Sequence, residues 1–316
     1  MEKTALRSDD AADALLALLA ALDRQRYDFV TPTPATHRRV VARPAMAQAR
    51  DLRGIFGWNL PFAPERLPDG LIDLMERSGT LRREGGLLKS GVRVGRIHGR
   101  LFLHSSFPTD AADAVFLGPD SYRFADFVRG ELPRAGQPKR MVDLGAGGGV
   151  GGILAAPFVP GARITLLDTN PEALRLAAIN ARHAGVEVEL IEGDGIDEAA
   201  GPIDLVIANP PYMADEGDRT YRDGGEMHGG GLSLEWSLAA ARRLEPGGRM
   251  LLYTGSAIID GRDQLREELE RALAGLGCTL RYREIDPDVF GEDLEKPAYA
   301  GVERIAVVGA VIGKQS

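Results

Sequence analysis

Four consecutive residues carry the most specific chemistry in this sequence: Asn209, Pro210, Pro211 and Tyr212. The Asn209 side-chain oxygen and the Pro210 carbonyl can each accept one N–H of an NH₂ group. Such a pair orients a planar nitrogen and stabilises positive charge growing on it. The two prolines fix their own φ angles and bring no N–H to compete for those acceptors. Tyr212 offers a ring that can stack on a flat group. Taken alone, the tetrapeptide also reads as an ordinary turn closing a strand, for which Asn-Pro and Pro-Pro are common.

An upstream segment favours the chemical reading. Met141-Val142-Asp143-Leu144-Gly145-Ala146-Gly147-Gly148-Gly149 follows a strand pattern and precedes a helix pattern. Gly145, Gly147 and Gly149 let the backbone turn sharply and approach a ligand closely. A carboxylate at Asp143 disfavours phosphate beside that turn and favours a cation such as an amino acid's ammonium group. That points to a nucleoside carrying methionine rather than a dinucleotide. Asp168 ends the next strand and can accept hydrogen bonds from both hydroxyls of a ribose. Asp194 ends the third strand; it can accept from an adenine amino group or cap the following helix. The candidate cofactor ligands are therefore Asp143, Gly145, Gly147, Gly149, Asp168, Asp194 and Asn209.

With Asp143–Gly149, Asp168, Asp194 and Asn209–Tyr212 in this order and spacing, the sequence over about residues 118–312 resembles the S-adenosylmethionine-dependent amino-methyltransferases. That group includes adenine-N6 DNA, guanine-N2 ribosomal RNA and glutamine-N5 protein methyltransferases. The resemblance implies an α/β fold with a seven-stranded Rossmann-like methyltransferase sheet, mostly parallel, its last strand antiparallel. It implies S-adenosylmethionine as cofactor, and methyl transfer to a planar amide or exocyclic amine. In this chemistry the delocalised nitrogen needs orientation more than a base, since it becomes acidic only as methylation proceeds. A macromolecular acceptor is implied, either a translation-factor or ribosomal protein or an RNA or DNA; a small-molecule methyltransferase of secondary metabolism is the alternative. A non-catalytic module that keeps the fold is disfavoured by the intact tetrapeptide. In the glutamine-methylating members a proline-containing segment at the place of Gly118–Tyr122 helps close the site.

These residues need a parallel sheet to position them. From about residue 141, strand-like and helix-like runs alternate, the pattern of a parallel sheet covered by helices. The strand candidates are Arg140–Leu144, Arg163–Asp168, Glu187–Ile191, Asp204–Ala208, Arg249–Thr254, Thr279–Ile285 and Arg304–Val311. Pro171 opens a helix that Gly185 closes. Leu232–Leu244 and Gln264–Leu276 are further helices, and Pro246-Gly247-Gly248 is a turn. The last two strands lack a crossover helix between them, so they should be antiparallel. The glycine-rich stretch 217–231, with Arg219, Arg222, Asp223, Glu226 and His228, is either a lid or a surface loop. Phe290 and Tyr299 read as packing residues.

Residues 1–118 read as a separate helical and hairpin domain for substrate recognition or dimerisation, and 119–316 as the methyltransferase domain. Asp9–Leu22 and Pro68–Arg77 are helices, and Val92–Ile97 with Leu101–His104 form a hairpin around Gly99. This part is either a small winged-helix-like module or an irregular cap.

The bulk properties set limits. The 316 residues are 44% hydrophobic, enough for a large core, and hold no apolar run long enough to span a bilayer. Ala11–Leu22 is interrupted and flanked by acidic residues and reads as an amphipathic helix rather than a secretory signal. The lone Cys278 cannot form an internal disulfide, which fits a cytoplasmic location. Of the net charge of -8, residues 1–140 carry +5 and residues 141–316 carry -13, so the front half is the one suited to a polyanion. His37, His98, His104 and His183 show no metal-ligand spacing with one another or with Cys278, and no metal is expected.

Overall fold

The computed structural model describes residues 2–134, 136–213 and 224–315. The front part comprises α1 (Glu2–Arg24), α2 (Pro34–Val41), α3 (Asp69–Arg77), β1 (Leu81–Glu84), β2 (Leu87–Ser90), β3 (Val92–Ile97) and β4 (Arg100–Ser105). Its strands form two hairpins, β1–β2 and β3–β4. The second turns at His98 and Gly99, whose φ angles of 46° and 79° are the paired positive values a tight hairpin requires. The sequence reading missed α2, although its start is signalled. Pro34 sits in its first turn, and the Thr33 hydroxyl accepts from the Thr36 N–H at 3.1 Å.

The remainder begins with α4 (Pro119–Glu131) and continues as β5 (Arg140–Leu144), α5 (Val150–Ala155), β6 (Arg163–Asp168), α6 (Pro171–Ala184), β7 (Glu189–Glu192) and β8 (Ile203–Ala208). Then follow α7 (Gly231–Arg243), β9 (Leu244–Ile259), β10 (Arg262–Asp263), α8 (Gln264–Ala274), β11 (Cys278–Asp286) and β12 (Arg304–Lys314). The main sheet has the order β11-β12-β9-β8-β5-β6-β7, with β10 paired to β9. β5 to β9 pair in parallel. The central β5 and β8 are almost continuously buried because helices cover both faces. β12 lies antiparallel between β9 and β11, as the helix-free connection between the last two strands demands.

The expected Pro246-Gly247-Gly248 turn lies inside β9 instead. Ile203 pairs with Leu244 and Leu205 with Arg249, so the extra residues are accommodated as a bulge while the strand continues. Gly247 at φ 80° supplies the conformation this needs.

The front part shares a core with the sheet domain. Leu15, Leu18, Leu22, Phe56 and Met75 cluster with Ala173, Leu176 and Ile179 on one face of α6. Asn180, on the same helix, is fully buried between the two parts. Its Oδ1 accepts from Leu103 N–H at 2.8 Å, and its Nδ2 donates to the carbonyls of Leu103 and Gly148 at 3.2 and 2.9 Å. Among the described residues no helix is long and apolar enough to cross a membrane.

Candidate active site

The strand ends of β5, β6 and β8 and the connection after β7 converge on one side of the sheet, the crevice where open α/β sheets bind ligands. Gly145, Gly147 and Gly149 hold φ angles of 70°, 53° and 81°, so the loop after β5 requires glycine at all three positions. The Asp168 carboxylate tethers this loop: it accepts from Gly147 N–H at 2.7 Å and from Asn170 N–H at 2.9 Å. Burial holds its pKa above the ordinary value despite those donors.

Gly145, Gly147, Asp168, Asp194 and Asn209 line a cavity of about 420 Å³ whose walls include Phe124 and Trp236. Its size, its bare backbone on one side and two carboxylates on another suit a nucleoside. Gly149 shapes the turn without lining the cavity; it is the left-handed residue that starts α5.

Asp143, expected as a cofactor ligand, stands apart from this cavity. Its carboxylate is 1% exposed, does not line the cavity and accepts from Gly152 N–H at 2.7 Å. Burial pushes its pKa up to about 7. It cannot face an ammonium group from there; it fixes the first turn of α5 beneath the glycine loop. Its position on β5 turns the side chain to the face that α5 covers, which neither spacing nor residue type reveals.

Asn209 and Pro211 also line a second cavity of about 220 Å³, together with Pro210 and Tyr212. The two cavities share Phe116, Ser121, Asn209 and Pro211, so Asn209 stands where they meet. The Asn209 Oδ1 atom is buried and has no hydrogen-bond partner among the described residues. A buried acceptor left unpaired costs ~1–3 kcal/mol, and a bound donor would recover it.

Tyr212 is anchored at its hydroxyl, which donates to Asp120 at 2.6 Å; Tyr253 donates to the other oxygen of Asp120 at 3.0 Å. Burial, then the neighbouring Asp120, raises the Tyr212 phenol well above its ordinary pKa. Phe290, expected as packing, lines the second cavity with its ring centroid 6.2 Å from that of Tyr212. Tyr299 is buried in the core as expected.

The sequence reading gave the front part a role in substrate recognition or dimerisation but named none of its residues; it supplies Pro34, Arg38, Phe107 and Pro108 to the second cavity. Arg219, Arg222 and Asp223 of the glycine-rich stretch lie outside the described residues. His228 does not: its Nδ1 is 2.8 Å from the Ala298 carbonyl.

A family model for the methyltransferase small domain matches residues 126–273. The release factor glutamine methyltransferase of Cereibacter sphaeroides is 31% identical over 263 residues, covering 78% of this chain and 88% of the relative. The chain belongs to the small-domain methyltransferase family. The release factor glutamine methyltransferase of Deinococcus radiodurans is 30% identical over 58% of this chain and 66% of its own length. The ribosomal RNA small subunit methyltransferase C of Ectopseudomonas mendocina is 32% identical over 37% of this chain and 32% of its own length. This methyltransferase uses S-adenosylmethionine, and the glycine loop and cavity just described are the part of its fold suited to hold it.

Proposed function

We propose that this methyltransferase transfers a methyl group from S-adenosylmethionine to a planar amide or exocyclic amine of a macromolecule. The buried Asn209 oxygen, without a hydrogen-bond partner among the described residues and at the junction of two cavities, carries the reading. Gly145, Gly147, Asp168, Asp194 and Asn209 bound the cofactor side; Asp168 takes the ribose hydroxyls and Asp194 the adenine amino group. The bound cofactor supplies an electrophilic methyl on a sulfonium. Asn209 Oδ1 and the Pro210 carbonyl accept the two N–H groups of the acceptor and aim its lone pair at that methyl. A cofactor held there would retain the electron pair of its C–S bond on sulfur as the new C–N bond forms. The same two oxygens stabilise the positive charge arriving on nitrogen until its proton leaves to solvent. Pro211 stiffens the loop, and Tyr212 supplies the flat wall on which the acceptor lies.

Two observations favour a macromolecule. The cavity rim carries Arg38, and Arg39, Arg43, Arg50 and Arg53 follow it in sequence. All five are exposed, with no ion pair to a described carboxylate, as suits a large anionic partner. The release factor and ribosomal RNA relatives are named for macromolecular acceptors, while one from Streptomyces pristinaespiralis is named for an amino-acid acceptor. Residues 1–118, which wall the acceptor cavity, act in acceptor recognition, and residues 119–316 carry the transfer. The free thiol of Cys278 agrees with a reducing, cytoplasmic setting.

Tritium-labelled cofactor incubated with a lysate, followed by separation into RNA, DNA, protein and small molecules, tests this. Label in a macromolecular fraction is expected; label confined to small molecules overturns the acceptor class, and the alternative of a small-molecule enzyme then holds.

A further inference from the structure

Asp120 belongs to neither sequence signature, yet it joins three elements around the reacting loop. It stands in the first turn of α4 and is 7% exposed. One carboxylate oxygen receives the Tyr212 hydroxyl at 2.6 Å, and the other receives that of Tyr253, from β9, at 3.0 Å. Arg123 approaches that second oxygen at 3.4 Å and pairs with Asp286 at 2.9 Å. A carboxylate this buried needs such donors to remain charged. What they secure is unequal. Tyr253 is wholly buried in the sheet and does not line the acceptor cavity, whereas Tyr212 does. Pro210 and Pro211 separate Tyr212 from Asn209, and their fixed φ angles transmit little slack. Holding the Tyr212 hydroxyl therefore also fixes the direction of the Asn209 and Pro210 oxygens, and a misplacement of about 1 Å at such a site can cost about 10²-fold in rate.

We propose that Asp120 is the positioning residue of the acceptor end: it grips Tyr212 and thereby sets the oxygens that receive the acceptor NH₂. This rests on the proposed methyl transfer.

The test uses the whole protein, tritiated S-adenosylmethionine, and unfractionated lysate from cells lacking this enzyme as the acceptor probe. Asp120→Asn keeps the size of the side chain but leaves one acceptor oxygen for two phenols. It should slow incorporation at least about 10-fold while cofactor affinity by calorimetry stays within about 2-fold. Tyr212→Phe removes the same bond from the other side, so the double variant should be no slower than the slower single one. Tyr253→Phe should keep its rate within about 3-fold of the parent. Incorporation at the parent rate in Asp120→Asn, or a double-variant loss equal to the product of the two single losses, overturns the proposal. If Asp120→Asn does not fold, a larger loss in Tyr212→Phe than in Tyr253→Phe supports it, and equal losses or a larger loss in Tyr253→Phe overturn it.

A second readout needs no acceptor. In protein labelled with ¹³C at the tyrosine ring ζ carbon, the Tyr212 resonance, assigned by its loss in Tyr212→Phe, should move in Asp120→Asn. An unmoved resonance overturns the proposal. Should the parent bind cofactor but label nothing in the lysate, the methyl-transfer reading fails, while the resonance still decides whether Asp120 holds Tyr212.

Discussion

A Cβ added to Gly255 would stand 2.2 Å from Cδ2 of Tyr212, closer than any real side chain allows. The tyrosine ring thus lies directly on the backbone of β9, and only glycine leaves it room. Gly255→Ala should push the ring toward the acceptor cavity and slow methyl transfer by about 10-fold or more, because the acceptor wall shifts. Cofactor affinity should stay near the parent value, since Gly255 does not line that cavity. Parallel calorimetry and tritium incorporation check this; a variant with parent turnover would show that the placement of Tyr212 is unimportant.

Asn209→Ala removes the buried oxygen at the junction of the cavities, which has no partner among the described residues. Turnover should fall about 10²-fold or more with little change in cofactor affinity, the pattern of a contact made chiefly in the transition state. Single-turnover measurement at saturating cofactor reads this directly, and full activity would remove Asn209 from the mechanism.

Asp168→Ala acts on the other cavity. It deletes a proposed ribose acceptor and also frees Gly147 N–H, now held at 2.7 Å, so the glycine loop loses its tether. Cofactor affinity should fall by about 10-fold or more. Titration calorimetry with S-adenosylmethionine settles it, unchanged affinity rejecting the ribose contact.

The cofactor end was largely legible because its signals are local. The positive φ angles at Gly145, Gly147 and Gly149 follow from residue type, and Asp168 from its place at a strand end. The antiparallel β12 followed from a connection too poor in helix to cross over. What stayed hidden depends on distant residues. Asp120 and Tyr212 are 92 positions apart; the resemblance brings Gly118–Tyr122 to the site, but no residue type in either segment announces the bond between these two. The Arg38 wall needed α2, whose eight residues and Thr33 cap were a short signal beside the longer helices. The placement of Asp143 is not legible because a carboxylate beside a glycine turn can face the ligand or the helix behind it, and spacing is the same for both.

That buried Asp143 has a measurable consequence. Burial raises its pKa from 3.8 to about 7, so between those values the folded protein holds a proton that the unfolded chain has released. Stability therefore falls as pH rises through that window, and the whole penalty is present above about pH 7. Asn at this position stays neutral at every pH, and its oxygen can still accept from Gly152 N–H. Asp143→Asn should melt higher than the parent at pH 8, with a smaller gain at pH 5. Scanning calorimetry at the two pH values checks it; an equal gain at both would mean that Asp143 does not titrate in this range.

Asn180 links the β3–β4 hairpin to the cofactor loop through α6, and its loss should be felt at both. Removing its side chain leaves the Leu103 N–H, the Leu103 carbonyl and the Gly148 carbonyl without their present partner in a buried place. Each buried group left unpaired costs ~1–3 kcal/mol, so Asn180→Ala should lose ~3 kcal/mol or more. For 316 residues, at about 2.1 cal/mol/K of unfolding entropy per residue, that lowers the melting temperature by about 4–5 °C. Asn180→Asp keeps the acceptor for Leu103 N–H but turns a second oxygen on two carbonyls, so it should be the worse of the two. Cofactor affinity measured well below the melting temperature should also weaken, because Gly148 is then no longer held. An Asn180→Ala variant that melts lower yet binds cofactor as the parent does would confine Asn180 to joining the two parts of the chain.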